Sequence, residues 1–357
     1  MATVESMEPA ALSDMFVYLD IVADFACHQC GACCNNDWLV TVNEAGYRRN
    51  QLLFEQAGQS DEFTKAFIPL GSAAELGEYA RIAKRQSGGC WFLTAEKLCR
   101  LQQVAGHEHL DSVCQWFPRY PMDTERGIEL SLSFSCPAAV KLALREAPLK
   151  IVRAESSPIS TLPVDFVRHV YPGQRPQSIL RYYFELEGHL IELLQARQLS
   201  LTGRLDLVQR SLCQIGAWQE PAEFGDLLNR LFRANYAELD AAAGRQPPRQ
   251  DGPANWLAEN YFVNFLFRKN LYTNGIADFH DQLAFMVQKI IPGMEQAARN
   301  NDTAILEQLI VAQELEWNHN SRNAGRKGGH DEGIGAEFAD RSVATSAILG
   351  TGDRWRD

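Results

Sequence analysis

The sequence lacks three features that point to common classes of protein. No run of about 18 apolar residues occurs, so no membrane-spanning helix is expected. Residues 1–19 contain no Lys or Arg, so the basic start of a secretory signal is missing and we expect a cytoplasmic protein. The net charge of -11 argues against a nucleic-acid partner, because neutralising phosphates requires clustered Lys and Arg.

A nucleotide-binding fingerprint is also missing. The glycines of segment 328–335 do not follow a predicted strand, so they do not match the turn that holds a dinucleotide. No glycine-rich turn joins a strand to a helix in the way typical of doubly wound methyltransferases. The sequence therefore assigns neither catalytic residues nor cofactor-binding residues.

Cysteine, by contrast, is concentrated in one part of the chain. Eight of the nine cysteines lie between positions 27 and 136, and the first four form a C-x2-C-x2-C-C run. Crowded thiolates repel one another unless a cation or an iron–sulfur cluster offsets their charge, or oxidation removes it. Clustered cysteines of an intracellular protein more often bind metal than form disulfides. We therefore predict a metal centre, with disulfides or unligated thiols as alternatives, and the candidate ligands are Cys27, Cys30, Cys33, Cys34, Cys90, Cys99, Cys114 and Cys136.

Spacing ranks these candidates. Cys27, Cys30 and Cys33 are the first choices, because gaps of two residues let one loop wrap a single centre. Adjacent cysteines project in different directions in most backbone conformations, so one metal rarely binds both Cys33 and Cys34. A four-iron cluster needs four ligands, and the fourth would come from Cys34 or from the distant cysteines. Cys213 lies in an apolar helical stretch and is predicted to be a small core residue.

Two segments near the cysteines have strand-like patterns. Residues 38–42 are mostly β-branched or aromatic, and residues 128–134 alternate apolar and polar side chains with period two. The second segment leads to Cys136 and then to Pro137, a residue favoured at the first position of a helix. We expect Cys136 at a helix N-terminus, where the dipole and the free N–H groups favour a thiolate.

The whole chain is predicted to be mainly α (α+β), with a small cysteine-rich metal-binding domain containing short strands beside a helical domain. The predicted parts are a cysteine domain at 1–150, a helical domain at 151–317 and a disordered tail at 318–357. Apolar residues recur at helical spacing in four segments, which are 179–194, 205–215, 224–231 and 256–266. Proline-rich residues 148–176 are predicted to form an irregular connection, and residues 241–253 a loop.

The ordered cysteine motifs resemble those of the flagellin lysine-N-methylase family. The first run alone also matches the broader zinc- or iron-chelating cysteine-cluster domains. The resemblance covers roughly residues 20–317, and its blocks are Cys27-x2-Cys30-x2-Cys33-Cys34, Gly89-Cys90-Trp91-Phe92-Leu93, Leu98-Cys99-Arg100-Leu101-Gln102, Cys114-x2-Phe117-Pro118-Arg119, Leu130-Ser131-Leu132-Ser133-x-Ser135-Cys136-Pro137 and Asn260-Tyr261-Phe262-Val263-Asn264-Phe265-Leu266-Phe267.

The resemblance implies a bacterial cytoplasmic enzyme that methylates lysine side chains of flagellin. It further implies S-adenosylmethionine as the methyl donor and an iron–sulfur cluster, here of the four-iron type, with zinc or iron alone as alternatives. The chain departs from radical enzymes that use this donor, which have C-x3-C-x2-C instead of C-x2-C-x2-C-C. Two other functions stay open: a non-catalytic zinc- or iron-chelating protein, and an electron-transfer iron–sulfur protein.

Three further residues are candidates for a binding site. Arg119 is suited either to pairing with a ligand carboxylate or to a buried structural salt bridge. Tyr261 and Asn264 lie on the most aromatic predicted helix, where packing in the core is favoured over lining a pocket.

Overall fold

The structure is a computed structural model, and it describes residues 15–36, 38–73, 77–159, 169–219, 221–243 and 252–325. The fold is mainly α with small sheets, as the sequence predicted. The strands within the described residues are β1 (Phe16–Leu19), β2 (Thr41–Val42), β3 (Phe67–Pro69), β4 (Ala80–Ile82), β5 (Arg119–Thr124), β6 (Gly127–Leu132), β7 (Ile151–Ala154) and β8 (His169–Val170).

The α-helices of the described residues include short turns near the cysteines and longer helices after position 183. They are α1 (Ile21–Asp24), α2 (Glu44–Gln56), α3 (Ser60–Ala66), α4 (Arg100–Ala105), α5 (Ser112–Trp116), α6 (Pro137–Ala143), α7 (Tyr183–Gln195), α8 (Leu201–Gly216), α9 (Phe224–Ala243), α10 (Pro253–Phe267), α11 (Asn270–Asn274), α12 (Ile276–Asn300) and α13 (Ala304–Gly325). A 3-10 helix at Ile179–Tyr182 precedes α7. The helices α7 to α10 confirm the prediction of four helical segments from the spacing of their apolar residues.

A five-stranded sheet with the order β7-β1-β6-β5-β8 forms the base of the fold. The strand β6 is wholly buried, because it lies between β1 and β5 and helix α10 contacts it. The strand predicted from the period-two pattern of residues 128–134 is therefore confirmed, but that pattern is typical of a half-buried strand and the expected exposed face was wrong. The outer strands β7 and β8 lie in residues 148–176, which were predicted to be irregular, so that prediction was wrong for these two short segments.

A separate three-stranded antiparallel sheet, with the order β2-β4-β3, lies beside the cysteine loops. The strand predicted over 38–42 is only the pair Thr41–Val42 here. Aromatic rings hold this part together: Phe54, Phe63, Phe67 and Phe92 are buried and their ring centroids lie 4.8 to 6.2 Å apart. We call residues 27–117 the cysteine region.

Helices α7 to α12, which we call the helical region, are organised around α10. Helix α10 contacts α6, α7, α11 and α12, and all but three of its fifteen residues are buried. It is buried on every side, as expected for a helix enclosed by others. Pro253 occupies its first turn, where a missing N–H costs nothing.

The chain divides into two compact units, residues 1–315 and 316–357. In the second unit, the described residues are the end of α13, which reaches Gly325. The tail predicted at 318–357 is therefore helical up to that position, and from 326 onward it lies outside the described residues. The predicted division at position 150 stays a prediction. No helix in the described part of the chain is both long and apolar enough to cross a membrane.

Candidate metal centre

The first cysteine run forms a tight loop between β1 and β2. The amides of Cys34 and Asn35 both donate to the carbonyl of Gly31, at 3.0 and 2.9 Å. Gly31 has a φ of +72°, and a Cβ there would lie 2.9 Å from Cβ of Lys97. A side chain at position 31 would therefore be strained and would push this loop away from the loop that contains Cys99.

A second loop, residues 84–99, packs directly against the first. The amide of Cys90 donates to the carbonyl of Cys34 at 2.6 Å, and Lys84 Nζ donates to the carbonyl of Asn36 at 2.7 Å. Bridges of β type pair Lys84 with Cys90 and Leu93 with Cys99. These backbone contacts place Cys90 and Cys99 on one small loop beside the first cysteine run.

A third segment adds Cys114. It lies in α5, whereas Cys99 is the residue immediately before α4. Five thiols from these segments are close enough that the charge on one raises the pKa of another, and we call them the five-thiol cluster: Cys33, Cys34, Cys90, Cys99 and Cys114. The structure therefore brings together cysteines that are far apart in the sequence. The largest separation, between Cys33 and Cys114, is 81 positions.

Cys33 and Cys34 form a close pair of thiols. Their sulfur atoms lie 3.9 Å apart, because the tight turn after Gly31 aims both side chains the same way. This contact differs from the expectation that adjacent cysteines diverge. The hydrogen bond from Cys34 lowers the pKa of the Cys33 thiol to about 7, and the same bond, with burial, raises the pKa of Cys34. The pair favours one thiolate and one thiol.

The other members of the cluster are held as neutral thiols by burial. Burial is the largest cause that raises the pKa of Cys90, Cys99 and Cys114, and neighbouring thiolates raise each further. Asp111 adds to the effect at Cys114, and burial raises the pKa of Asp111 itself to about 6. Lys84 near Cys90, Arg100 near Cys99 and Arg49 near Asp111 favour the ionised forms, but burial outweighs each of them. A bound cation would favour the thiolates further.

The remaining candidate ligands lie at the margin of the cluster. Cys27 and Cys30 are exposed, and Cys136 is buried. Charge on Cys30 or Cys33 raises the pKa of Cys136, so these thiols are neighbours. Cys136 is the N-cap of α6, as predicted, and the amides of Ala138 and Ala139 lower its pKa. Burial outweighs them and raises the pKa of Cys136 to about 11, so the expected preference for a thiolate was wrong.

Cys213 differs from the prediction for it. The sequence placed it in a helical core, but its side chain is exposed on α8. The buried face of that helix is formed by Leu205, Val208, Leu212 and Ile215, and position 213 lies outside this face.

The donor chemistry fits a thiophilic metal, although the sulfurs are not arranged as a complete ligand set. Among the described residues, no group of three or more His, Cys, Asp or Glu side chains lies in an arrangement that could hold a metal ion. Tetrahedral zinc with Zn–S distances of about 2.3 Å places its sulfurs about 3.8 Å apart. The 3.9 Å between Cys33 and Cys34 already matches that separation. The other thiols would have to shift toward this pair.

The three further candidates for a binding site, Arg119, Tyr261 and Asn264, contact other groups of the protein. Arg119 lies over the ring of Phe25, with its Cζ 5.1 Å from the ring centroid, and no carboxylate pairs with it within the described segments. Asn264 bonds the backbone of Leu132 through both ends of its amide, and the hydroxyl of Tyr261 contacts Met286. Both α10 residues are buried, so the core-packing alternative is confirmed.

The sequence reasoning missed a polar group on the opposite edge of the large sheet. Asp123 Oδ2 lies 2.8 Å from Nδ1 of His169 and 2.6 Å from the hydroxyl of Tyr171. His169 and Tyr171 alternate around the buried Val170, a pattern that could have shown a strand with both polar side chains on one face. They lie in the segment that was predicted to be irregular.

Comparison with known proteins gives one partial similarity. No family model matches the chain, and no solved structure matches it. The flagellar biosynthetic protein FliU of Salmonella muenchen is 30% identical over 98 residues. That alignment covers 28% of this chain and 48% of FliU, so the chain spans about half the length of the curated relative that it matches.

Proposed function

We propose that this protein is a lysine N-methyltransferase of the flagellin type, with a metal–thiolate or iron–sulfur centre. The observation that carries the proposal is the convergence of five thiols from three segments of the chain. The partial similarity to a flagellar biosynthetic protein supports a flagellar context. The ordered cysteine motifs resemble the flagellin lysine-N-methylase family, which supports flagellin as the substrate and S-adenosylmethionine as the donor.

The five-thiol cluster would provide most of the ligands for this centre. Cys33 and Cys34 are the best-placed pair, and Cys90, Cys99 and Cys114 surround them. Cys136 is a neighbour of Cys30 and Cys33 and would be a further ligand, and the exposed Cys27 and Cys30 are the candidates from the first loop. When bound, a zinc ion or an iron–sulfur cluster would neutralise the thiolates and fix the three loops relative to one another.

The chemistry of methyl transfer sets requirements for the protein around the substrate. The lysine ammonium has no lone pair, so it must lose its proton before its nitrogen can attack the sulfonium methyl group. A new N–C bond then forms as the C–S bond breaks, and the electron pair of that bond stays on the donor's sulfur. A dry pocket would lower the lysine pKa, and in-line positioning of the two reactants would supply much of the rate.

A methyl-transfer assay tests the proposal. Protein purified and reconstituted without oxygen is incubated with flagellin and S-adenosylmethionine labelled in its methyl group, and mass spectrometry locates modified lysines. We expect label on flagellin lysines with the unmodified chain and with Cys213→Ser, because Cys213 is exposed and distant in sequence from the cluster. We expect none with Cys90→Ser. Flagellin that stays unlabelled while the metal site is filled would overturn the proposal.

A non-catalytic chelating role is the second candidate, and one packing observation favours it. Cys90 belongs to the buried apolar core of the cysteine region, and Cys34, Cys99 and Cys114 pack against the same core. A metal at this position would serve as part of the core even without any reaction. Bound metal without methyl transfer would support this role, whereas a reversible redox change without methyl transfer would support electron transfer.

A further inference from the structure

A polar cavity lies on the far edge of the large sheet, and no cysteine lines it. Its volume is about 300 Å³, and its lining residues are His169, Arg175, Tyr272, Thr273 and Asn274. His169 comes from β8, Arg175 follows the 3-10 helix Pro172–Gln174, and the other three residues come from α11. The cavity therefore joins the edge of the sheet to the helical region.

One wall of the cavity is a fixed imidazole. Asp123 Oδ2 accepts hydrogen bonds from Nδ1 of His169 at 2.8 Å and from the hydroxyl of Tyr171 at 2.6 Å. Burial, together with the bond to Asp123, raises the pKa of Tyr171 to about 12, so this hydroxyl stays a donor. In the tautomer that donates from Nδ1 to Asp123, Nε2 is the acceptor of the ring. Among the described residues, Nε2 has no hydrogen-bond partner.

Another lining residue, Arg175, supplies a positive charge. The guanidinium carbon of Arg175 lies 4.3 Å from the ring centroid of Tyr272, and the hydroxyl of Tyr272 accepts the amide of Tyr171 at 3.3 Å. Tyr272 is buried, so it is a fixed platform for an exposed guanidinium. No carboxylate pairs with Arg175 in the described part of the chain. Stacking occupies the face of a guanidinium and leaves its in-plane N–H groups for a carboxylate.

The side chain of the lining residue Asn274 is held by hydrogen bonds to Thr273 and Gln282. Asn274 Nδ2 donates to Oε1 of Gln282 at 3.4 Å, and Thr273 Oγ1 donates to Oδ1 of Asn274 at 3.2 Å. Gln282 is 3% exposed, and its Nε2 has no hydrogen-bond partner among the described residues. A buried amide nitrogen without a hydrogen-bond partner costs free energy. We interpret the position of Gln282 by its other end, where its oxygen holds the lining residue Asn274.

We propose that this cavity binds an aminocarboxylate group, which carries a carboxylate and an ammonium on one carbon. Arg175 would pair with the carboxylate, and Nε2 of His169 would accept a hydrogen bond from the ammonium. Asp123, which bonds Nδ1 of His169 at 2.8 Å, places negative charge beside the histidine, on the ammonium side. A guanidinium at Arg175 together with a carboxylate behind His169 matches a zwitterion better than a simple anion or cation.

Two kinds of molecule carry this group: a free amino acid, and the amino-acid end of a larger molecule such as S-adenosylmethionine. The second source rests on the proposed methyltransferase function, for which the cavity would then be part of the donor site. The two sources have the same recognition chemistry, so they are separated by their binding behaviour.

Calorimetric titration of the full chain tests the proposal with three probes. They are S-adenosylhomocysteine, L-methionine and 5′-methylthioadenosine, the last of which lacks the aminocarboxylate. We expect S-adenosylhomocysteine to bind and Arg175→Met to weaken it on the order of 10- to 100-fold, since a charge-assisted hydrogen bond is lost. Arg181→Met is the matched control, because Arg181 also stacks on a tyrosine, at 4.8 Å from the centroid of Tyr182. It should leave affinity unchanged.

Each outcome decides the proposal. Binding of S-adenosylhomocysteine but not of 5′-methylthioadenosine supports an aminocarboxylate site that accepts the methyl donor. Binding of L-methionine alone, with the same loss in Arg175→Met, supports a free amino acid as the ligand. Equal affinity of the unmodified chain and Arg175→Met for every probe, or binding of none of them, would overturn the proposal. Label transfer to flagellin is measured separately, so methyl transfer that survives in Arg175→Met would reject this cavity as the donor site without rejecting the methyltransferase function.

Discussion

The helical region and the cysteine region satisfy their buried ionisable groups in opposite ways. In the helical region, Arg204 pairs with Glu259 at 2.7 Å, and Arg268, at the end of α10, pairs with Glu314 of α13. Each of these charges is at most 3% exposed, and each has an opposite charge beside it. In the cysteine region, the buried acidic groups have mainly other acidic groups as neighbours, as at Cys114.

The difference shows which region balances its buried charges with its own side chains. Buried charges cost a great deal of free energy unless they are paired, and the helical region pairs them within the protein. Lys269, at a left-handed turn between α10 and α11, extends this pairing to the large sheet through Glu129, at 2.6 Å. Burial keeps most thiols of the cysteine region neutral, and it outweighs Lys84 near Cys90 and Arg100 near Cys99, which favour the thiolates. A metal cation would stabilise several thiolates together.

Removal of metal should produce the largest difference between the two regions. Structural zinc contributes on the order of 10 kcal/mol to the folding of small metal domains at neutral pH. A chelator should therefore abolish amide protection from hydrogen exchange in residues 27–36 and 84–117. Protection of α10 should be retained, since its packing involves no cysteine of the cluster. Uniform loss of protection in both regions would show that the helical region is not independent.

Lys269→Met should break the charge network that joins α7 to the large sheet. Lys269 is fully buried and contacts both Glu129 and Glu187, and Arg126 bridges the same two carboxylates. Removing the lysine leaves an excess negative charge in the core, at a cost of roughly 3–5 kcal/mol. Denaturant unfolding measures this change.

The control for that variant is Lys65→Met, at an exposed position of α3. It should change the free energy of unfolding by less than about 0.5 kcal/mol. Similar losses of stability in the two variants would contradict the role of the buried network.

His189 should make the helical region sensitive to acid. Burial lowers the pKa of His189 to about 4, from an ordinary value of 6.5. A histidine with a lowered pKa stabilises the fold above pH 6.5, and that stabilisation is lost as pH falls toward 4 because the unfolded chain binds the proton more tightly. The full loss is about 3 kcal/mol. Unfolding of the unmodified chain and of His189→Gln across this window should show a steeper decline in the unmodified chain, and parallel curves would refute the expectation.

Asn264→Ala should have a smaller effect on the contact between α10 and the sheet. The amide of Asn264 donates to the carbonyl of Leu132 at 2.9 Å, and its oxygen accepts the amide of the same residue at 3.4 Å. Leaving these buried backbone groups unpaired costs about 1–3 kcal/mol. Asn229→Ala, exposed on α9, is the matched control and should be nearly neutral. A neutral Asn264→Ala would mean that water or a shifted side chain replaces these bonds.

Local sequence patterns were enough to predict the helices and strands whose signals lie within a few residues of one another. The helix that starts at Pro137, the buried strand β6 and the stripes of α7 to α10 all follow from spacing and from proline placement. These features depend on neighbours within a few positions, so the sequence shows them directly.

Features that depend on distant partners were not predictable. Strand β7 exists because it pairs with β1, and the paired residues Phe16 and Ala154 are more than 130 positions apart. Strand β8 pairs with β5, and the paired residues Asp123 and His169 are more than 40 positions apart. The contact of Cys33 with Cys34 was missed for a different reason: it is local, but the turn after Gly31 that creates it has no distinctive spacing in the sequence. The cavity beside His169 is built from three separate segments, and none has a recognisable motif.

X-ray absorption spectroscopy of the chain purified without oxygen tests the metal centre most directly. Elemental analysis of the same sample identifies the metal. We predict bound zinc or iron with a shell of at least three sulfur ligands, at about 2.3 Å for zinc, retained in Cys213→Ser and reduced in Cys90→Ser. A sample that contains neither metal, or whose metal is surrounded by nitrogen and oxygen alone, would contradict the account.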